Sequence, residues 1–514
     1  MKCLLLLSSL FYCVVVCATD YLASTPGEAV SFLQNAVAGD RVLLKDGIYR
    51  DAVIQFVNNG GTREKPVSFL AQTPGKVSFE GNSSLAFGGR YIVVSGFAWR
   101  NGGKGLAGRS VVSFKAGKDN ANYSSVQDCL IDDYNNENLS TDNKWVSLFG
   151  EHNTLTRCLL KSKRNLGATV TVWLLQGIPA RHLISHNYFL DRLNGPDVDN
   201  GLESIRIGDS KTSFTPAHCI VAFNRFENCD GEIEIISNKS CHNSYLHNTF
   251  VNSDGGLTLR HGNDCLADGN FFDGTGKKLS YGIRFIGEGH VAVNNCFYHL
   301  QGAPHQTFRA PVTLVNGLEN TPINGYYQVK RATVAGNLFV NCDMPAIRIG
   351  AFSKRPGMTL GPDSVVISNN LVWDDEGKKG AVLEELTPAT YLTANDNLVA
   401  GWALETSVKG FDKIASVTPD KVGAGAALGS QSKKGNGAME GVGKESGKSE
   451  GSSFEIITTG KSVLRIPRIV AQVAAWPAGA GADWIEPAVA EATKRKKFTR
   501  VLSGEVGPAW LRNL

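Results

Sequence analysis

The 514-residue chain reads as an all-β solenoid, a right-handed parallel β-helix, and three observations predict this. An asparagine followed two places later by an aromatic or aliphatic residue recurs as Asn187-Tyr188-Phe189, Asn224-Arg225-Phe226, Asn248-Thr249-Phe250, Asn270-Phe271-Phe272, Asn295-Cys296-Phe297, Asn337-Leu338-Phe339, Asn370-Leu371-Val372 and Asn397-Leu398-Val399. The intervals are 37, 24, 22, 25, 42, 33 and 27 residues, a base period in the low twenties stretched by insertions, which suits one coil per repeat. A sandwich would turn roughly every 8 to 12 residues and repeat much faster. Composition agrees, with 56 glycines, only 4 methionines and 19% charged residues, as in a turn-rich β protein. The third observation is a short amphipathic helix ahead of the β region, which covers the open end that every solenoid must protect.

Taken in order, residues 1–18 have the pattern of a signal peptide. Lys2 supplies the positive start, Leu4 to Val16 is nearly all apolar, and Val16-Cys17-Ala18 offers small residues for cleavage. The apolar run is too short to span a membrane. A secreted protein, extracellular or periplasmic, is expected, with neither a membrane nor a nucleic acid as partner. The net charge of +4, reduced by one when Lys2 leaves, is compatible with an anionic partner.

Thr25 as N-cap, Pro26 at the first helical position and Glu28 at the third predict a capping box before Ala29, Phe32, Leu33, Ala36 and Val37, with Gly39 ending the helix. The β-helix is expected over 19–405, its earlier coils joining the ladder through Asp128-Cys129-Leu130 and Arg157-Cys158-Leu159. Residues 406–453, rich in Gly, Ser and Lys in their second half, read as a linker. Residues 454–514, through Trp476, Trp484 and Trp510, are too few for a second solenoid and are expected to pack on or near the first. Eight cysteines remain after the signal peptide, and their spacing fits no zinc motif. Most are expected as buried thiols, with Cys129 and Cys158 as the best candidate pair for a disulfide.

The densest polar cluster is Asp230-Gly231-Glu232-Ile233-Glu234 through Asn238-Lys239-Ser240. Strand alternation predicts Glu232 and Glu234 on one face, where like charges repel unless a cation lies between them. Two glutamates alone would more often be a solvated face. The next coil changes this, because Leu259-Arg260-His261-Gly262-Asn263 follows Lys239 by one turn of the solenoid, and Asn200-Gly201-Leu202-Glu203 precedes the cluster by one lengthened coil. A paired acidic site, a lysine and an Arg-His dipeptide then converge on one face, which suits an active site.

Asn200-Gly201-x-Glu203-Ser204-Ile205-Arg206-Ile207-Gly208, Gly231-Glu232-Ile233-Glu234 through Asn238-Lys239-Ser240, and Leu259-Arg260-His261-Gly262-Asn263 together resemble polysaccharide lyase family 6, which contains chondroitinase B and alginate lyases. The resemblance runs from about Ser24 to Leu404. It implies Asn200, Glu232 and Glu234 as ligands of Ca²⁺, Lys239 as the base and Arg260 as the acid of a β-elimination. Arg284 would bind the substrate carboxylate, and His261, Arg309, Arg348 and His305 are further candidate contacts. The chemistry is coherent: the C5 proton of a uronate is barely acidic until its carboxylate is neutralised, and Lys239 beside other positive charge can accept it. An acidic polysaccharide, with alginate ahead of chondroitin or dermatan sulfate, is the implied substrate. A non-catalytic polysaccharide-binding β-helix is the rival from another class, and a β-helical glycoside hydrolase using the two glutamates is a third reading.

Overall fold

The computed structural model describes residues 18–106, 108–194, 200–303, 305–352, 356–377, 381–402, 408–414, 417–421, 454–458 and 500–511. The expected signal peptide apart from Ala18, residues 422–453 of the expected linker, and Trp476 and Trp484 lie outside them.

The helix forms as its sequence dictates. It spans Pro26–Asn35, the Thr25 hydroxyl accepts the Glu28 N–H at 3.1 Å, and Glu28 reaches back to the Ser24 N–H at 2.7 Å. Its far end is closed from outside the helix, because the Asn58 amide donates to the carbonyls of Leu33 and Ala36, both at 2.8 Å. Ala36 and Val37, expected as helical, therefore lie past the last turn.

Three 14-stranded sheets follow, each assembled from about every third strand of the chain, so successive coils stack in parallel register. Among the described residues, the one antiparallel pair within them joins Lys115–Ala116 to Asp119–Asn122. About half of the strands are three residues long, enough to send one or two side chains inward from each. In one sheet the inward residues are Phe189, Phe226, Phe250, Phe272, Phe297 and Phe339, stacked with centroids 4.5 to 5.2 Å apart. That spacing is the distance between neighbouring strands, so a residue repeated once per coil finds its own kind above and below.

The asparagines do the same work with polar groups. Asn187 donates its backbone N–H and its side-chain amide to Asn224 Oδ1 at 2.9 and 3.0 Å, and the pattern continues coil by coil to Asn397. Burying these turns is possible because every asparagine amide is paired. Cys158 stands at the same ladder position one coil earlier, its N–H donating to Asn187 Oδ1 at 3.0 Å.

All eight described cysteines are buried free thiols, as expected for most of them, and the candidate Cys129–Cys158 disulfide is not formed. The two lie on adjacent coils, with Leu130 paired to Leu159. Each sulfur instead meets the carbonyl two residues back in its own coil, Gln127 at 3.2 Å and Thr156 at 3.4 Å. The solenoid also runs past residue 405: Phe411–Ile414 adds a parallel strand beside Asn397–Ala400. Residues 500–511 lie back across earlier coils. Arg500 pairs with Asp273 at 2.7 Å, the Gly507 N–H reaches His186 O at 3.0 Å, and Trp510 Nε1 reaches Asp128 O at 2.8 Å. Val501 and Val506 cover an apolar outer face formed by Leu183, Ile220, Leu246 and Leu266.

Candidate active site

The polar cluster sits on the outer face of the sheet that contains Ile205–Ile207, Glu234–Lys239, Gly256–His261, Ile283–Phe285, Val312–Val315 and Ile347–Ala351. Inward positions are held by Ile205, Ile236, Leu257, Ile283, Val312 and Ile347, all fully buried. The outward column one residue on reads Thr171, Arg206, Ser237, Thr258, Arg284, Thr313, Arg348 and Glu384. Regular pairing breaks where the motifs meet. Between Glu234–Lys239 and Gly256–His261 the register shifts twice, leaving Ile235 and Arg260 without partners across the ladder. A bulge re-aims the side chain of the extra residue, and here that residue is Arg260.

Only Glu234 of the expected pair lies on the strand; Glu232 is in the bend before it. Alternation therefore does not set their relation. The turn carrying Glu232 is fixed instead by Leu202, whose N–H donates to Glu232 Oε2 at 3.1 Å, and by the Tyr281 hydroxyl, which donates to Ile233 O at 2.5 Å. Gly208 (φ +79) lets the preceding coil approach, since a Cβ there would meet Lys239 O at 2.7 Å.

Around this turn three carboxyl groups crowd together. Glu203 is 1% exposed, and neither of its oxygens has a hydrogen-bond partner; Lys239 Nζ stands 3.9 Å from its Oε1. Burial, then the charges of Glu203 and Glu234, push the Glu232 carboxyl up to about 9. Burial would raise Glu234 as well, but Arg284, Arg260 and Lys239 outweigh it and hold that carboxyl below its usual range. Glu234 accepts from Ser237 and from Arg284, and Arg260 Nε lies 4.0 Å away. No three His, Cys, Asp or Glu side chains among the described residues enclose a metal by themselves. The orphaned Glu203 carboxylate and the proton-holding Glu232, with the amide of exposed Asn200 at the head of the same turn, are nonetheless a donor set suited to a hard cation.

Lys239 and Arg260 are brought onto neighbouring strands, each with a side chain 16% exposed. Arg260 Nη1 donates to Gly325 O at 2.9 Å, and its guanidinium lies 4.4 Å from the Tyr326 ring centroid. His261 is packed behind them, Nδ1 at 3.1 Å from the Ser213 hydroxyl. Burial, then Arg260 and Lys239, depress its imidazole to about 3, so it stays neutral. Arg284 is 3% exposed and spent on Glu234; it orders the carboxylate more directly than it meets solvent. Arg309 and Arg348 are likewise buried, Arg309 on the carbonyls of Asp254 and Leu279, Arg348 on Glu384 and Thr307 O. They hold the groove wall together. His305 is exposed and lines a cavity of about 930 Å³ with Asp230, Glu232, Phe308, Arg309 and Phe352, directly beside the carboxyl cluster.

Tyr326, Tyr281, Ser237 and Ser213 were not predicted. Tyr326 arrives on the insertion between Asn295 and Asn337, at 42 residues the longest interval of the ladder, and that length was the available signal.

The family model described as chondroitinase B matches residues 24–443. Among solved structures, the family 6 alginate lyase AlyGC is 33% identical with a TM-score of 0.72, over 78% of this chain and 54% of that one. The chain thus spans about half the length of AlyGC. A mannuronic acid-specific family 6 polysaccharide lyase from human gut microbiota is 28% identical with a TM-score of 0.67, over 78% of this chain and 92% of that one. An alginate lyase in complex with a trisaccharide, 21% identical with a TM-score of 0.65, shares the fold. No curated protein matches the chain.

Proposed function

The chain belongs to polysaccharide lyase family 6, the chondroitinase B family, and on that premise we propose that it is a secreted lyase that cleaves alginate by β-elimination. The observation that carries the mechanism is the bulge that sets Arg260 beside Lys239, on adjacent strands and next to the carboxyl cluster. Lys239 Nζ takes the C5 proton of a uronate residue. The electron pair of that C–H bond forms the C4–C5 double bond, the C4–O4 bond breaks, and the leaving oxygen receives a proton from Arg260 or from water that Arg260 holds. Guanidinium is a poor acid, and its hydrogen bond to Gly325 O and its place over Tyr326 suit it to steadying the leaving oxygen. Neutral His261, behind the pair, keeps the Arg260 turn in place through Ser213.

Asn200, Glu232 and Glu234 would hold Ca²⁺, with Glu203 as a further oxygen donor. When bound, the ion supplies the positive charge that offsets the substrate carboxylate and acidifies its C5–H. Alginate is preferred because the family 6 relatives at 33% and 28% identity are described as an alginate lyase and a mannuronic acid-specific lyase. Dermatan sulfate is the second reading, favoured by the family model's own description. Ultraviolet absorbance of the new C4–C5 double bond, followed side by side on alginate and dermatan sulfate, decides. Fast rise on alginate supports the reading, product from the sulfated polymer alone overturns the substrate, and no rise on either overturns the lyase.

A further inference from the structure

Arg206 is a guanidinium that the reaction above does not use. It stands in the outward column of the groove sheet, level with Ser237 on one side and Thr171 on the other, one coil before the strand that carries Lys239. Neighbouring strands are about 4.8 Å apart, so it lies beside the reacting position along the groove.

The other arginines of this column are neutralised: Arg284 pairs with Glu234 and Arg348 with Glu384. Arg206 has no ion pair and no hydrogen bond among the described residues, and its Nε is buried without a partner. What fixes it is an aromatic ring: its guanidinium carbon lies 5.4 Å from the Trp173 centroid. Trp173 is held in turn, stacked on Phe149 at 5.9 Å and 10° and donating through Nε1 to the Ser147 hydroxyl at 3.1 Å. Lys144, 5.6 Å from the same ring, is already paired with Asp142 at 2.5 Å. A half-buried cation that cannot shed its proton, oriented by an immobilised indole and lacking an anion, is a preorganised carboxylate receptor.

We infer that Arg206 binds the carboxylate of the uronate residue next to the one that loses its proton, on the N-terminal side of the groove, with Trp173 as its positioning residue. This rests on the uronate-lyase reading. The site takes one carboxylate, so any oligomer that runs one residue beyond the reacting uronate on this side fills it, and it extends the groove away from the walled cavity at Phe308 and Phe352.

Binding and turnover test it separately. On the full chain carrying Lys239→Ala, affinity for saturated mannuronate and guluronate hexamers is measured by calorimetry. Adding Arg206→Gln should weaken it about ten- to hundredfold, the range for a hydrogen-bonded charge pair. Arg206→Lys should recover part of the loss, and Trp173→Leu, which leaves the cation but frees it, should lose less than Arg206→Gln. With Lys239 intact, kcat/KM on hexamers should fall with the same ranking. A folded Arg206→Gln protein, checked by circular dichroism, that binds hexamers as its parent does overturns the inference; so does an equal loss on carboxyl-reduced hexamers, which lack the anion that Arg206 receives. If the wild-type protein gives no unsaturated product from any uronate polymer, the lyase reading falls, whereas the calorimetric result still decides whether Arg206 receives a carboxylate.

Discussion

The asparagine ladder from Asn187 to Asn397 and the outward column from Thr171 to Glu384 are built on the same coils, yet they obey opposite rules. In the ladder each coil repeats its neighbour: one residue type, one pair of hydrogen bonds near 3.0 Å, no shift in register. In the column the residue changes at every step, two arginines are buried, and the register slips on either side of Ser237. Repetition is the cheapest way to satisfy buried backbone and amide groups, so the ladder carries stability. Departure from repetition costs stability and is kept where chemistry needs unlike groups side by side.

The comparison is sharpened most by Lys239. Lys239→Ala should keep the fold and lower turnover by roughly two to four orders of magnitude, as expected for loss of a positioned base. Lys239→Arg should fail nearly as badly, because arginine keeps the charge and cannot accept the proton; steady-state ultraviolet rates beside circular dichroism check both, and a folded arginine variant with near-normal turnover would remove Lys239 as the base. The opposite behaviour is expected in the aromatic stack. Phe250→Ala, between Phe226 at 4.8 Å and Phe272 at 4.5 Å, should cost about 3–5 kcal/mol in denaturant unfolding. Its kcat well below the new melting point should stay close to wild type.

Asn270→Ala should follow, at on the order of 2–4 kcal/mol, because it strands the backbone N–H of Asn248 and removes one of the side-chain amide's two acceptors and one of the two hydrogen bonds to Asn295 Oδ1. A loss of activity at unchanged stability would break the division between ladder and column. Glu232 tests the carboxyl cluster beside the column through pH. Its carboxyl is raised from 4.5 to about 9 in the metal-free protein, so the stability it contributes is whole below its unfolded value and is lost as pH rises through about 9. Melting of the metal-free protein should therefore fall more between about pH 5 and pH 9 than that of Glu232→Gln, and added Ca²⁺ should recover most of the difference at the alkaline end. Parallel curves for the two proteins would show that Glu232 does not hold its proton. The smallest effect belongs to surface charge: Arg331, 59% exposed and 2.8 Å from Glu288, should cost under about 1 kcal/mol when changed to Ala, and that loss should vanish in high salt.

The sequence by itself determined the period, the stacked phenylalanines and asparagines, the capped helix and the three motifs, because each of these is fixed by residues adjacent in the chain or repeated at coil spacing. It also placed Lys239 and Arg260 one coil apart, which is all that chain distance can say. Only the tertiary structure decided how they meet. Whether Glu232 sits on the strand or in the bend before it depends on where the ladder hydrogen bonds begin, and that is set by the coils on either side, not by alternation. The bulge at Arg260 belongs to the pairing of Gly256–His261 with Glu234–Lys239, while its pairing with Ile283–Phe285 stays in regular register. Cys129 and Cys158 could have been a disulfide by spacing, and coil geometry gave each sulfur a carbonyl instead. Tyr326 over Arg260, and residues 500–511 lying across coils hundreds of positions earlier, are contacts between segments that share no local pattern, so no periodicity in the sequence could announce them.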